Sequence, residues 1–189
     1  MPPKCKFTKE EIVQAALEIV RESGIGSVTA RDVGVKLGAS SKPIFSLFRN
    51  MEELQQEVII AAEKLYQRCL RDETKSGNFP PYKASGMGYI RFAKEEKELF
   101  KLLFMRDRSK EKKESDEAEL REILQMIQQS TGFSYEKAYM FHLEMWIYVH
   151  GIATMIATAY LDWEWDTISA MLTDAYEGLK HRYKTPAKQ

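Results

Sequence analysis

Cysteine is scarce in this chain. There are two, Cys5 and Cys69, far apart in the sequence, so no disulfide framework is expected. Cys5 reads as a free thiol on an N-terminal arm, Cys69 as a small apolar residue on a helix face. Long hydrophobic runs are missing too. None approaches the ~18–20 residues that span a bilayer, and no signal peptide is expected, which makes the cytoplasm the expected compartment. Histidine occurs three times. His142 and His150 share a helical face eight residues apart, but the spacing supplies no third or fourth ligand; buried, hydrogen-bonded histidines are the expectation there and no metal is. The chain also shows no paired carboxylates, nucleophile–base set or glycine-rich phosphate loop. Neither catalysis nor a cofactor is expected. What remains is a 189-residue chain, 44% hydrophobic and 30% charged, an ordinary composition for a folded helical protein.

The informative stretch is residues 29–54. Thr29 precedes Asp32 by three positions, a spacing that can cap a helix start in both directions. Ala30, Val33 and Leu37 then recur at helical spacing, and Gly38 supplies a left-handed turn. Ser40 or Ser41 caps the next helix, with Pro43 in its first turn. Ile44, Leu47 and Phe48 form its inner face, while Ser41, Lys42, Phe45, Ser46 and Arg49 point outward. Asn50 with Glu53 repeats the capping-box pattern and opens a longer helix. Upstream, Thr8 and Glu11 form another capping box, followed by the stripe Ile12, Ala15, Ala16, Ile19 and Val20 and closed by Gly24. Residues 8–48 therefore read as three helices, the last two a helix-turn-helix over about 29–48, a shape suited to the DNA major groove.

The chemistry of the outward face agrees. Lys42 and Arg49 can neutralise phosphates, Ser41 and Ser46 can hydrogen-bond phosphates or base edges, and Phe45 can pack on sugar or a thymine methyl. Thr29, Arg31, Ser40 and Pro43 complete the candidate contact set. Residues 1–50 hold eight Lys/Arg against five Asp/Glu; residues 51–189 hold twenty against twenty-three. The small positive excess lies where phosphate would be met, and Lys4 and Lys6 can extend it as an arm.

These residues resemble the tetracycline-repressor (TetR) family of bacterial transcription regulators. The likeness is carried by Gly24-Ile25, Val28-Thr29, Asp32-Val33, Leu37-Gly38, Ala39-Ser40 and Ile44-Phe45, and above all by Phe48-Arg49-Asn50-Met51-Glu52-Glu53-Leu54. It covers roughly the first 55 residues. The resemblance implies an all-α protein: an N-terminal three-helix DNA-binding domain over 1–50, and a helical effector-binding and dimerisation domain over 51–189. It implies a homodimeric repressor bound to a palindromic operator in double-stranded DNA and released by a small hydrophobic ligand. Three departures stand out. The family commonly has tyrosine at Phe45 and often lysine at Met51, both reaching phosphate, and Lys42-Pro43 replaces a common pair of small residues.

The rest reads as helices. One runs from Asn50 to about Glu73, with Leu54, Val58, Ala61, Ala62, Leu65 and Cys69 on its apolar face. Breakers at 75–81 precede helices over Tyr82–Glu95 and Glu98–Met105. The charge run 106–117 reads as a loop, and helix resumes over Glu117–Ser130. Tyr135–Leu161 and Asp166–Tyr183 are the last two, carrying small residues Gly151, Ala153, Ala157, Ala170 and Ala175. In the TetR family such a pair builds a four-helix bundle with the partner subunit, and Trp146-x-x-x-His150-Gly151 resembles one of the family's C-terminal subgroups. A hydrophobic ligand pocket is expected among Met87, Phe92, Phe100, Phe104, Met126, Tyr139, His142, Met145, Trp146 and His150. The alternatives to a DNA-binding regulator are a helical small-molecule carrier, or an interaction module docking a partner helix through 29–48.

Overall fold

The computed structural model describes residues 7–107, 109 and 114–185, with 114–119 described by backbone alone. The expected arm of Lys4 and Lys6, with Cys5, lies outside the described residues, as do 108 and 110–113 of the charge run. The helices are α1 (Lys9–Ser23), α2 (Ala30–Lys36), α3 (Lys42–Leu47), α4 (Met51–Ser76), α5 (Pro81–Glu95), α6 (Lys97–Phe104), α7 (Glu114–Thr131), α8 (Tyr135–Ala157) and α9 (Trp165–Lys184). A short 3-10 turn, Ile25–Ser27, sits between α1 and α2. No strand occurs among the described residues; the protein is all-α, as the sequence predicts. No helix among them is long and apolar enough to cross a membrane.

The chain divides into two compact units, Met1–Arg68 with Glu96–Arg106, and Cys69–Glu95 with Asp107–Gln189. The sequence reading divides the chain after residue 50, at the junction of α3 and α4. The first compact unit continues through Arg68 and takes in the segment carrying α6.

In the first unit, the Thr8 capping box forms in full: the Thr8 amide donates to Glu11 Oε2 at 2.8 Å, and the Glu11 amide to Thr8 Oγ1 at 3.1 Å. Ile12, Ala15, Ala16, Ile19 and Val20 are all buried, as their spacing predicts, joined by Val13 and Leu17. Gly24, at φ +77°, ends α1 and donates to the Val20 carbonyl at 2.8 Å. Helix α6 lies against α1. It buries Leu99, Phe100, Leu102 and Leu103, and Arg21 grips the Glu96 carboxylate with two bonds of 2.8 and 2.6 Å.

In the second unit, α5 lies beside α8, and the pairs Tyr82–His142 and Tyr89–His150 rise together along both helices, with Lys94 near the end of α5 meeting Asp162 just past the end of α8. The two therefore run parallel. Helices α7 and α8 fold back on each other through Gly132, at φ +74°. Phe141 is the hub of an aromatic cluster, edge-on to Tyr176 at 5.3 Å and to Phe133 at 5.7 Å between ring centres. The unit's buried carboxylate, Glu73, accepts from Arg91 Nε at 2.7 Å, and the Arg91 guanidinium lies 4.7 Å from the Trp165 ring centre.

Three helix ends depart from the sequence reading. Helix α4 runs to Ser76, three residues past the expected Glu73 and into the expected breaker stretch, and stops where Gly77 takes φ +69°. Helix α7 starts at Glu114, three residues before the expected Glu117, so the last part of the charge run is helical. Residues 114–117 are Glu, Ser, Asp and Glu: acidic residues suit the first turn of a helix, and no Gly or Pro intervenes to stop propagation. Helix α8 ends at Ala157, four residues before the expected Leu161, because Ala159 takes a left-handed conformation at φ +56°.

Candidate nucleic-acid interface

The angle between α2 and α3 is set by two glycines. Gly38, at φ +63°, donates to the Val35 carbonyl at 3.0 Å, and the Ala39 amide donates to the Gly34 carbonyl at 2.8 Å. This is the double bond pattern of a glycine-terminated helix. Gly34 then leaves room for the chain to fold back: a Cβ there would stand 3.0 Å from the Ala39 carbonyl oxygen and from the Ser40 carbonyl carbon. Sequence reasoning finds Gly38 and misses Gly34, which lies inside a helix and shows no turn signal of its own.

Val33, Ile44 and Phe48 are buried beneath this turn, and Leu47 is half-buried. Their burial fixes which side of α3 faces outward. Lys42, Phe45, Ser46 and Arg49 are all exposed, Phe45 by 54%; Ser41 and Pro43 are half-buried. Ser41 occupies the cap position without a side-chain cap bond. The neighbouring Ser40 hydroxyl, itself exposed, accepts from the Lys42 amide at 3.4 Å. Ser46 turns its hydroxyl back to the Pro43 carbonyl at 2.7 Å. Thr29 and Arg31 are exposed at the start of α2. The Thr29 hydroxyl accepts from the Asp32 amide at 3.2 Å and donates to the Asp32 carboxylate at 2.5 Å. Thr29 and Asp32 thus cap in one direction, with the return bond made to the hydroxyl.

Arg49 sits in the turn just past α3 with its side chain 89% exposed. Its amide and its Nε both donate to Glu53 Oε2, at 2.8 and 3.1 Å. Hydrogen bonds from Arg49, led by the one from its backbone, hold the Glu53 carboxyl below the usual range. Lys9 of α1 reaches Glu53 Oε1 at 3.4 Å and lies 5.0 Å from the Phe48 ring centre. Lys9 is absent from the candidate set because nothing in its own helix marks it; only the fold brings it beside Arg49.

The expected ligand-pocket residues are divided between the two units. Phe100 and Phe104 belong to the first unit, where Phe104 stands edge-on to Tyr66 at 5.1 Å. The other eight belong to the second. Met87, Phe92 and Met145 are buried, Met126 is half-buried, and Tyr139 and Trp146 are exposed on α8. His142 Nδ1 pairs with the Tyr82 hydroxyl at 3.1 Å and His150 Nδ1 with the Tyr89 hydroxyl at 2.8 Å, while Trp146 stacks flat on His150 at 5.1 Å. Both histidines are thus hydrogen-bonded, and burial holds both imidazoles below their usual range. Burial also pushes the Tyr82 phenol up, and the Cys69 thiol up to about 11. An open groove on the first unit, lined by Ile19, Glu22, Ser23, Ser27, Asp32, Val35 and Lys36, includes none of the ten.

A family model described as the tetracyclin repressor-like C-terminal domain matches residues 82–177, half of the chain. The chain belongs to the TetR family. Two solved structures share its fold. A TetR family protein from Vibrio parahaemolyticus, described as a transcriptional regulator, is 15% identical with a TM-score of 0.60, over 90% of this chain and 97% of its own. SmeT, the repressor of the Stenotrophomonas maltophilia multidrug efflux pump SmeDEF, is 16% identical with a TM-score of 0.54, over 97% of this chain and 96% of its own. No curated protein matches the sequence. The TetR model matches 82–177, whereas the residues that carry the sequence resemblance lie within the first 55, so the two observations do not overlap.

Proposed function

We propose that this TetR protein is a homodimeric, sequence-specific DNA-binding transcriptional regulator, a cytoplasmic repressor released from its operator by a small hydrophobic ligand, and not an enzyme. The observation that carries the reading is the outer face of α3. Lys42, Phe45 and Ser46 stand exposed on one short helix anchored by Ile44 and, at its C-cap, Phe48, and Arg49 stands exposed just past its end. In this reading, α3 enters the major groove while the two cations contact phosphate. Thr29, Arg31, Ser40, Ser41 and Pro43 lie at the approach to that groove.

The dimer has its own support. Tyr139, Met140, Leu143, Trp146, Ile147 and Met155 are all exposed on α8; the first five recur at helical spacing over just more than two turns, and Met155 follows eight residues on, beyond Gly151. A contiguous apolar stripe of this kind is the mark of an interaction face. Gly151 falls within the stripe and Gly178 on α9, each with open space where a side chain would be, so a second helix can come close. Pairing two subunits through α8 and α9 gives the two-fold symmetry that a palindromic operator needs. A ligand that lowers operator occupancy a hundredfold must favour the released conformer by about 2.7 kcal/mol.

Selection of genomic fragments with the purified protein tests the reading. The expected outcome is a small set of fragments sharing an inverted repeat. Recovery of unrelated sequences, or no salt-dependent retention on DNA or heparin, contradicts it and favours a carrier or a protein-docking module.

A further inference from the structure

The position of Glu53 is unusual for a DNA-facing surface. It lies in the first turn of α4, directly after α3, where a negative charge repels phosphate. The Asn50–Glu53 spacing predicts a reciprocal cap between those two residues. Only half of it forms: Asn50 Oδ1 accepts from the Glu53 amide at 2.9 Å. The carboxylate instead reaches one residue further back, taking both the amide and the Nε of Arg49 on Oε2. Its other oxygen takes Lys9. A single acid therefore gathers two cations, one from α1 and one from the α3–α4 turn, beside Phe48.

The geometry at Arg49 is selective. Binding through Nε leaves both terminal nitrogens, with four N–H donors, open to another acceptor. Nearly nine-tenths of the side chain is exposed. An ion pair this open contributes little to stability, so folding alone gives weak reason for an acid here. Arginine binds a phosphate best as a planar fork already held in place, because less rotamer freedom is lost on contact. Met51, half-buried at the start of α4, carries no charge.

We propose that Glu53 is a positioning residue for DNA phosphate: it fixes Arg49 with its terminal nitrogens outward and holds Lys9 alongside, so that one cation from the α3–α4 turn and one from α1 grip the backbone at the edge of α3. The inference rests on the DNA-binding reading above and goes beyond it in assigning a favourable role to an acid.

The sign of one effect separates this role from simple charge. Removing an acid near DNA tightens binding if charge is all that matters; removing a positioning residue weakens it. The test titrates the wild-type protein, Glu53→Ala, Glu53→Gln, Arg49→Ala and the Glu53→Ala/Arg49→Ala double variant against one duplex recovered by genomic selection, over a range of salt, with thermal melting in parallel. Glu53→Ala is expected to weaken binding about three- to tenfold and to lower the salt slope by about 0.9, one phosphate contact. In the Arg49→Ala background its effect is expected to shrink to the smaller part that acts through Lys9, since Glu53 and Arg49 act as one unit. Glu53→Gln keeps an acceptor for the Arg49 amide, and with it the start of α4, and is expected to fall between wild type and Glu53→Ala. If Glu53→Ala does not fold, Glu53→Gln decides alone. Tighter or unchanged binding in either variant overturns the proposal, as does an equal loss with and without Arg49. A wild-type protein that retains no duplex at low salt removes the DNA-binding reading itself, and this inference with it.

Discussion

Lys42 and Arg49 bracket a helix only six residues long, and each carries a charge that DNA phosphate can use. Lys42→Ala is expected to weaken binding to specific and unrelated duplexes alike and to reduce the salt slope by about 0.9; equal slopes for variant and wild type in an anisotropy titration would place Lys42 off the DNA. His142 gives a prediction about pH. Its imidazole is held below the usual value by burial. Between that lowered value and the ordinary value near 6.5, the unfolded chain binds more protons than the folded one, so acidification favours unfolding. The melting temperature is therefore expected to fall as pH drops below about 6.5, and His142→Gln to remove part of the fall; an unchanged pH profile in that variant would show that His142 does not carry it. At this scale the sequence is most legible where chemistry is local. The Thr8–Glu11 cap depends on residues three apart and forms as read. Glu53 does not keep to its local partner, because Arg49 offers two donors where Asn50 offers one. Lys9 joins the same carboxylate from 44 residues away, beyond the reach of any spacing argument.

Helix ends are where the sequence is clear in one place and opaque in another. At the end of α2 the Gly38 and Ala39 amides return to the Val35 and Gly34 carbonyls, and the glycine announces the stop. At the end of α8 the same pattern appears: the Ala159 amide bonds to the Ile156 carbonyl and the Tyr160 amide to the Met155 carbonyl, each at 3.0 Å. Here an alanine takes the left-handed position, so nothing in the residue types marks the end, and the periodic pattern runs on to Leu161. An alanine held in that conformation costs roughly 1–2 kcal/mol. Ala159→Gly is thus expected to stabilise the protein by about 1 kcal/mol, after the greater backbone freedom of glycine in the unfolded chain is set against the relief; a lower melting temperature in the variant would contradict this. Gly34 gives the opposite case. Its neighbours at 3.0 Å are backbone atoms that cannot step aside, and Gly34→Leu is expected to destabilise the first unit by about 1–3 kcal/mol, measured by chemical denaturation.

For the whole molecule, the all-α class and the order of helices are readable from periodicity and breakers, because helices bury one stripe at a fixed spacing. The assembly of the second unit is much less readable. Aromatic and methionine residues serve equally as core, as ligand wall and as subunit interface, and composition does not sort them. Burial does: Met87 and Phe92 lie inside, whereas Tyr139 and Trp146 stand on the outer stripe of α8. Leu143 and Ile147 are 36% and 58% exposed on that stripe. A Leu143→Asp/Ile147→Asp variant is expected to keep its helical content yet sediment as a monomer and lose operator binding; a dimer that survives both changes would place the subunit interface elsewhere. The central claim is that two copies of α3 read two half-sites of one DNA molecule. Hydroxyl-radical footprinting of a duplex recovered by genomic selection tests it most directly. Two equivalent patches of protection are expected, related by two-fold symmetry and separated by about one helical turn or a multiple of it. A single patch, or none at concentrations that saturate binding, would contradict it.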